Sequence, residues 1–291
     1  MKGLFRNPQL LWAMAAMTMV EESSSFVVRS TARQRLAGWR MDTNPLRRST
    51  FQRNQQRSVH SFSKKAAPEK DIGEDDAIVR EKTTQWLKDV VIGMNLCPFA
   101  DKPMRKKQIH IHILRGTDVE WIVEQIWKEL HYRIRASGTA LMVCPELHPD
   151  NFNAYLDVLD LVQQIIENDP ALKGQVQVAP FHPFFQFEGS GTDNSDNWTN
   201  RSPYPIFHIL REDEVTRAVD KIGGDAGLVW KRNVELLEMI EKELGTTALE
   251  QIMTSNTDTK LTQKKGDILR RLRARNVTDG TSNFDSNDAD R

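Results

Sequence analysis

Two short stretches, FHPFFQF at residues 181–187 and NRSPYPIFHILR at residues 200–211, decide the organisation of this 291-residue chain. The first stretch ends a strand-like segment at a His-Pro pair. The second leads into another strand through Pro203 and Pro205, which keep the residues before them extended. A polar, glycine-containing loop joins the two stretches across residues 188–199. A strand end, a loop and a strand start in this order predict a pocket, while the residue types leave its chemistry open.

Upstream of these stretches, hydrophobic periodicity predicts the order β-α-β-α-β. Residues 109–113 alternate Ile with His, which is typical of a half-buried strand, and residues 140–144 form a continuous apolar run, which is typical of a strand buried on both faces. Residues 176–181 form a third short strand. Apolar residues at helical spacing fill the two intervals between these strands, the second one over residues 152–168. Helical crossovers of this kind favour parallel pairing.

The flanking segments complete one domain. A helix that includes Trp86 and Met94 is predicted before the first strand, and it ends near Asn95 because Pro98 disfavours helix just before it. A fourth strand and two further helices are predicted after residue 205, with Asp213 as the cap of the first of these helices. The predicted fold class is therefore α/β, with about four strands in a mixed, mostly parallel sheet whose β-α-β-α-β core is flanked by helices. This single domain is expected over residues 77–253.

The two ends of the chain are predicted to lie outside that domain. Residues 1–65 contain nine Arg and three Lys against three acidic residues, and an apolar run at residues 10–20 precedes an Arg/Ser-rich part. This composition predicts a disordered targeting presequence for a plastid or a mitochondrion. Residues 66–76 are predicted to be a charged linker. Residues 254–291 are predicted to be a disordered tail with a transient basic helix.

The distribution of charge limits the class of partner. The formal net charge of zero conceals +9 on residues 1–65, so the remainder carries −9. An acidic domain repels phosphate backbones, so nucleic-acid binding is not expected. The apolar run near the N terminus is too short to span a bilayer, and no transmembrane segment is predicted. No nucleotide-binding glycine motif occurs, and neither a cofactor nor an oligomeric state is indicated.

The carboxyl ends of parallel strands form the edge of a sheet where ligands bind in open α/β folds. Arg115 and His182 follow two of the predicted strands. His182 is the candidate general acid/base because imidazole titrates near neutral pH; the alternative is a histidine that caps the strand end by bonding a main-chain carbonyl. Arg201 is the candidate anion-binding residue, with forked donors; the alternative is a structural arginine paired with Asp193 or Asp196.

Other polar side chains extend this candidate site. Asn200 and Ser202 flank Arg201 and are predicted to contact a ligand. Either Arg115 or Arg211 is predicted to bind the anion together with Arg201. His208 is interpreted as a buried, hydrogen-bonded histidine, with lining of the pocket as the alternative. Cys97 is a candidate nucleophile, although its place at a helix C-terminus favours a packed thiol instead.

Metal binding is a third possibility. His110 and His112 have a spacing that binds zinc, but no carboxylate or thiol accompanies them, so a solvated strand face is predicted instead. Two cysteines are too few for a disulfide framework or a Cys-only zinc site, and Cys144 is predicted to be a core residue. A metal-dependent site built from His182 and Cys97 therefore ranks below the other hypotheses.

Three motifs together resemble a known family. WxxxVVIGxNLCPFA at residues 86–100, VxVAxFHP at 176–183, and TNRSPYP at 199–205 with HxLRE at 208–212 are similar to the family named domain of unknown function 1415. The resemblance covers about residues 76–249. The family is chiefly bacterial and has no assigned activity. The resemblance implies one compact α/β domain and marks as motif positions Cys97, His182, Asn200, Arg201, Ser202 and His208.

The chain departs from the family at two positions. Family members have a polar residue and a Tyr where this chain has Phe184 and Phe185. Any chemistry that needs that Tyr is therefore absent here. A bacterial-type domain behind a presequence fits an organelle inherited from bacteria.

Two functions from different classes follow. The first is an enzyme of hydrolase or transferase type that acts on a small anionic metabolite, with His182 as acid/base and Arg201 as anion-binding residue. The alternative is a non-catalytic binding or assembly module in an organelle. A concave polar pocket would favour the enzyme, whereas an apolar patch over Phe184, Phe185 and Trp198 would favour the module. His182 and Arg201 on opposite faces of the sheet would remove the enzyme hypothesis in this form.

Overall fold

A computed structural model describes the backbone of residues 74–278 and the side chains of residues 74–274. The predicted presequence, residues 1–65, lies outside the described residues. The helices are α1 (Asp76–Trp86), α2 (Asp101–Arg105), α3 (Val119–Arg133), α4 (Phe152–Asn168), α5 (Glu212–Asp220), α6 (Gly227–Leu244), α7 (Thr246–Met253) and α8 (Thr259–Thr278). A π-helical segment, Leu87–Ile92, continues α1, and a 3-10 helix spans Ser195–Thr199. The strands are β1 (Ile109–Ile113), β2 (Thr139–Val143), β3 (Val176–Phe181) and β4 (Ile206–Arg211).

The four strands form one mixed sheet in the order β1-β2-β4-β3. β1 pairs with β2 in parallel, and β4 lies antiparallel between β2 and β3. The predicted single α/β domain with a four-stranded mixed sheet is confirmed. β1, β2 and β3 run in the same direction, as expected, but only the β1–β2 pair is parallel because β4 separates β2 from β3. Pro180 lacks a backbone N–H, which suits β3 to the edge of the sheet.

Helices cover both faces of the sheet. The first core packs α3 and α4 against one face, where Met142 and Phe207 contact helical residues such as Ile126 and Leu159. The second core packs α1, its π-helical continuation, α6, α7 and α8 against the other face, which carries Leu141 and Val143 of β2. The continuous apolar run of β2 is thus buried on both sides, as its sequence predicts.

Local signals explain several of the element boundaries. The Asp118 carboxylate caps α3 by accepting from the Trp121 amide at 3.2 Å, and Asn151 caps α4 by accepting from the Ala154 amide at 3.1 Å. Gly138 lies before β2 with φ of 86°, and a Cβ there would be 2.3 Å from the Gln108 carbonyl oxygen. Glycine is therefore required at this turn.

The C-terminal segment differs from the prediction. The sequence predicts a disordered tail with a transient basic helix from residue 254, whereas the structure contains a longer helix, α8, whose Ile268, Leu269 and Leu272 are buried in the second core. Arg271 of α8 also pairs with Glu243 of α6 at 2.5 Å. The basic, aromatic-poor composition of this segment predicts disorder. The helix is nevertheless stable because three apolar side chains on one of its faces pack against α6 and α7. No helix within residues 74–278 is long and apolar enough to cross a membrane.

Candidate functional site

The carboxyl edge of β1, β2 and β3 brings the expected segments together. Arg115 lies just past β1, Cys144 follows β2, and His182 follows β3. The Cys144 amide donates to the Pro205 carbonyl at 2.9 Å, and the His182 amide donates to the Asn200 carbonyl at 3.2 Å. The segment that leads into β4 therefore returns to this edge beside His182.

His182 is fully buried, and both of its ring nitrogens bond the main chain. Nδ1 accepts from the Phe184 amide at 3.0 Å, so the proton of the neutral ring is on Nε2, which donates to the His148 carbonyl at 3.0 Å. The rings of Phe152 and Tyr155 of α4 pack against it at 5.2 and 5.0 Å between centroids. Burial lowers the pKa of His182 below its ordinary value. These contacts match the alternative role, in which His182 caps the end of β3.

Arg201 bonds the loop that precedes it. Its Nη2 donates to the Thr192 carbonyl at 2.8 Å, and its Nε donates to the Phe185 carbonyl at 3.3 Å. The guanidinium carbon lies 4.5 Å from the centroid of the Trp198 ring. Desolvation lowers the pKa of Arg201, which nevertheless stays far above neutral pH in proteins. Two of the donors that would bind an anion, on Nε and Nη2, are directed to main-chain carbonyls instead.

His182 and Arg201 lie on different sides of the sheet. The His182 ring packs against α4, which belongs to the first core. Arg201 stacks on Trp198, which packs against the second core together with α6. The hypothesis of an enzyme with His182 and Arg201 in one cleft is therefore not supported by this geometry.

The residues that flank Arg201 also bond the main chain or each other. The Asn200 side chain donates to the Pro180 carbonyl at 3.1 Å and accepts from the Thr199 hydroxyl at 3.1 Å. The Ser202 hydroxyl donates to the Tyr204 carbonyl at 2.6 Å. Both residues are buried. Their contacts fix the path of the chain from β3 into β4 rather than presenting polar groups to a ligand.

His208 connects two strands. The Thr139 hydroxyl donates to the Ile209 carbonyl at 2.6 Å, so it accepts from Nε2–H of His208 at 2.6 Å. Burial lowers the pKa of His208 to about 4. This arrangement corresponds to the interpretation of His208 as a hydrogen-bonded histidine within the sheet.

The two other arginines are paired with carboxylates. Arg115 donates to Glu146 at 2.5 Å and to Asp76 at 2.6 Å. Arg211 donates to Asp213 at 2.7 and 3.0 Å. Because β4 is antiparallel, Arg211 lies opposite Val176 at the far edge of the sheet and cannot share a ligand with Arg115 or Arg201. Asp213, predicted to cap α5, pairs instead with this arginine, and α5 has no side-chain cap.

Two side chains of α6 bond the turn that contains Cys97. Arg232 donates to the Asn95 carbonyl at 2.9 Å, and Asn233 donates to the Leu96 carbonyl at 2.7 Å. Burial raises the pKa of the Cys97 thiol, against the opposing effect of amides from Phe99 and Ala100. A half-buried thiol that stays protonated is a weak nucleophile. Met94 and Leu96, which precede Cys97, are buried in the second core.

Cys144 and the two strand histidines complete the candidates. Cys144 is buried in the first core, and burial raises its thiol pKa. His110 is exposed, while Nε2 of His112 lies 3.8 Å from a carboxylate oxygen of Glu129. Within residues 74–274, no group of three or more His, Cys, Asp or Glu side chains is placed to hold a metal ion.

A cleft of about 610 Å³ lies between the loop and α6. We call it the acidic cleft because four of its lining residues are Asp or Glu. It is lined by Asp193, Asn194, Ser195, Asp196, Trp230, Val234, Glu238 and Glu241. None of the catalytic or ligand-binding residues predicted from the sequence lines it, although Asp193 and Asp196 were named as possible partners of Arg201. Its only sequence signals are the acidic loop and the polar face of α6, because the cleft exists only where the two are brought together.

Asn197 is the residue that shapes the loop. Its side chain is fully buried, and its Oδ1 accepts from the Phe187 amide at 2.9 Å. Its Nδ2 donates to the Gly191 carbonyl at 2.7 Å and to the Thr192 carbonyl at 3.3 Å. Asn197 therefore joins the start, the middle and the end of the loop.

The fold and these contacts define a one-domain α/β protein with a four-stranded mixed sheet. The family model described as protein of unknown function (DUF1415) matches residues 78–246, more than half of the chain. The chain therefore belongs to this family, and the resemblance of its three motifs is confirmed. No curated protein and no solved structure matches the chain. Nearly all of α7 and the whole of α8 lie beyond the matched residues.

Proposed function

We propose that this protein is a non-catalytic binding module and that its ligand is cationic. The observation that supports this proposal is the lining of the acidic cleft. Asp193 and Asp196 stand on the loop side, and Glu238 and Glu241 stand on α6. Trp230 adds an indole to the same lining. Acidic groups attract cations through charge, and an indole face adds a cation–π contribution.

The same lining weighs against the enzyme hypothesis. The acidic cleft is open and polar, and it contains neither His182 nor an anion-binding arginine. An anionic metabolite would meet four acidic side chains there and would be repelled. The apolar patch that was the alternative expectation is also small, since Phe184 is 55% exposed but Phe185 is only 1% exposed. Binding through the acidic cleft is therefore favoured over docking through the Phe-rich segment.

The affinity for a small cation should be modest. An exposed ion pair contributes about 0–1 kcal/mol, and a cation–π contact contributes about 0.5–2 kcal/mol. Ion pairs to the acidic side chains and one cation–π contact to Trp230 would together contribute about 4 kcal/mol at most, which corresponds to a Kd near 1 mM. Because the contacts are largely electrostatic, binding should weaken as the ionic strength rises.

Isothermal titration of the full chain with spermidine, at low and high NaCl concentration, tests the proposal. The Glu238→Gln/Glu241→Gln double variant should bind spermidine about fivefold or more weakly, since it loses two ion pairs. Glu235→Gln is the matched control, because Glu235 is an exposed residue of α6 that does not line the acidic cleft. It should leave the affinity nearly unchanged.

Two results would oppose the proposal. Equal affinities of the double variant and the control variant would place the spermidine elsewhere on the chain. Titration with citrate provides the second test, because binding of citrate that disappears in Arg201→Lys would restore an anion-binding role for Arg201. An ammonium keeps the charge but cannot reproduce a bidentate guanidinium.

We also propose that the protein works in a plastid or a mitochondrion. The Arg-rich, acid-poor composition of residues 1–65 supports this location. The acidic character of the remaining chain, which carries −9, is compatible with a cationic ligand in either organelle.

A further inference from the structure

The loop of residues 188–199 is held by side chains that converge on one carbonyl. The Thr192 carbonyl accepts from Nδ2 of Asn197 at 3.3 Å and from Nη2 of Arg201 at 2.8 Å. Thr192 immediately precedes Asp193, the first residue of the acidic cleft. The position of this carbonyl therefore determines where Asp193 and Asp196, the acidic residues on the loop side of the cleft, are placed.

Arg201 supports this point from outside the loop. Its Nε also donates to the Phe185 carbonyl at 3.3 Å, so the guanidinium joins the segment before the loop to the middle of the loop. Its guanidinium carbon lies 4.5 Å over the Trp198 ring, and this contact restrains the guanidinium because Trp198 itself packs against the second core. Three separate contacts thus restrain a side chain that lines no part of the acidic cleft.

We propose that Arg201 is a positioning residue that holds the loop so that Asp193 and Asp196 face α6. This inference rests on the proposed function of the acidic cleft. Arg201 has no ligand contact in this scheme, and it acts through the Thr192 and Phe185 carbonyls. A second observation agrees with it, since the Ser190 hydroxyl donates to the Asp196 carboxylate at 2.9 Å and needs the same loop path.

Because Arg201 is positively charged, the direction of the change in cation affinity on its replacement distinguishes positioning from a simple charge effect. Arg201 is a cation near Asp193 and Asp196, so it reduces the negative potential of the acidic cleft. If charge alone matters, Arg201→Gln should tighten the binding of a cation. If positioning matters, the same variant should weaken binding, because the loop would no longer hold Asp193 and Asp196 facing α6.

The experiment measures spermidine affinity and loop hydrogen exchange on the full chain. Arg201→Gln should bind spermidine about threefold or more weakly than wild type, as expected for the loss of hydrogen bonds. Lys242→Gln is the matched control, because it removes one positive charge from an exposed position of α6 beside Glu241. It should bind spermidine equally well or more tightly.

Hydrogen exchange reports the loop directly. The Ser190 amide donates to the Phe187 carbonyl at 3.0 Å, and the Asn194 amide donates to the Gly191 carbonyl at 3.1 Å. Both amides should exchange faster in Arg201→Gln, while amides of β2 stay unchanged. Arg201→Lys retains the charge and should show a smaller increase, and it serves in place of Arg201→Gln if that variant does not fold.

Each outcome decides one point. Unchanged exchange of the two loop amides in the Arg201 variants would overturn the positioning role. Tighter spermidine binding by both Arg201→Gln and Lys242→Gln would also overturn it, since charge alone would then explain the effect. If wild type does not bind spermidine, the proposed function fails, and the exchange rates still decide whether Arg201 holds the loop.

Discussion

At the scale of single residues, two motif histidines owe their properties to main-chain and hydroxyl partners distant in sequence. His182 is fixed by the carbonyl of His148, 34 positions earlier, and His208 by the hydroxyl of Thr139, 69 positions earlier. A neutral ring that bonds such partners stabilises one arrangement of the strands. These contacts lead to stability predictions for both residues.

His182→Ala should destabilise the fold by about 2–4 kcal/mol. The variant loses two hydrogen bonds to the main chain and leaves a cavity beside Phe152 and Tyr155. Denaturant unfolding measures the change, and the exposed His110 provides the control, since His110→Ala should be nearly neutral. A loss below about 1 kcal/mol for His182→Ala would point back to a chemical role for this residue.

His208 should make the fold sensitive to mild acid. Burial lowers its pKa in the folded state to about 4, whereas the unfolded chain takes up the proton near pH 6.5. The unfolded state therefore binds more protons between these values, so stability is complete above about pH 6.5 and falls as the pH approaches 4. The loss attributable to this group should be on the order of 2 kcal/mol.

His208→Gln isolates this contribution, because an amide can still donate to Thr139 but does not titrate. Unfolding free energies of wild type and variant, measured from pH 7.5 to 4.5, should converge as the pH falls. Parallel curves would show that His208 is not the titrating group.

At the scale of elements, local sequence signals predict most of the boundaries of helices and strands. α4 and β3 span the residues predicted for them, because their caps and apolar periodicity lie within the segments themselves. The insertion of β4 between β2 and β3 is a non-local choice that periodicity does not encode. The acidic cleft was missed for the same reason, since it joins a loop to a helix more than 30 positions away.

The backbones of His182 and Arg201 lie at one edge of the sheet, whereas Arg211 lies at the far edge, and the roles of these residues were not predictable from their spacing. His182 and Arg201 both follow β3, yet their side chains separate onto different cores. The direction of each side chain depends on the partners that tertiary packing supplies. Spacing alone gives only the proximity of the backbones.

A substitution in α8 tests whether the C-terminal segment is a packed helix or a disordered tail. Leu272 is fully buried against the second core, so Leu272→Ala should cost about 2–3 kcal/mol in the free energy of unfolding. Gln263→Ala, at an exposed position of the same helix, should have almost no effect. Equal stability of the two variants would return residues 254–278 to the disordered tail that their composition predicts.

At the scale of the whole molecule, two regions of opposite charge divide the chain. Residues 1–65 carry +9 and the remaining residues carry −9. Within the part of the chain that the structure describes, both cores are built from residues between Val79 and Leu272. Deletion of residues 1–65 should leave cooperative unfolding intact, because all of these core residues are retained.

The remaining prediction concerns the address of the protein. Residues 1–70 fused to a fluorescent protein should direct it to a plastid or a mitochondrion, because the segment combines a short apolar run with an Arg-rich, acid-poor sequence. Microscopy with a marker for each organelle measures the outcome. The matched control replaces Arg29, Arg33, Arg35 and Arg40 with Glu, which keeps the length and apolar run but reverses the local charge. The control should remain in the cytosol, and cytosolic fluorescence of the unmodified fusion would contradict the targeting hypothesis.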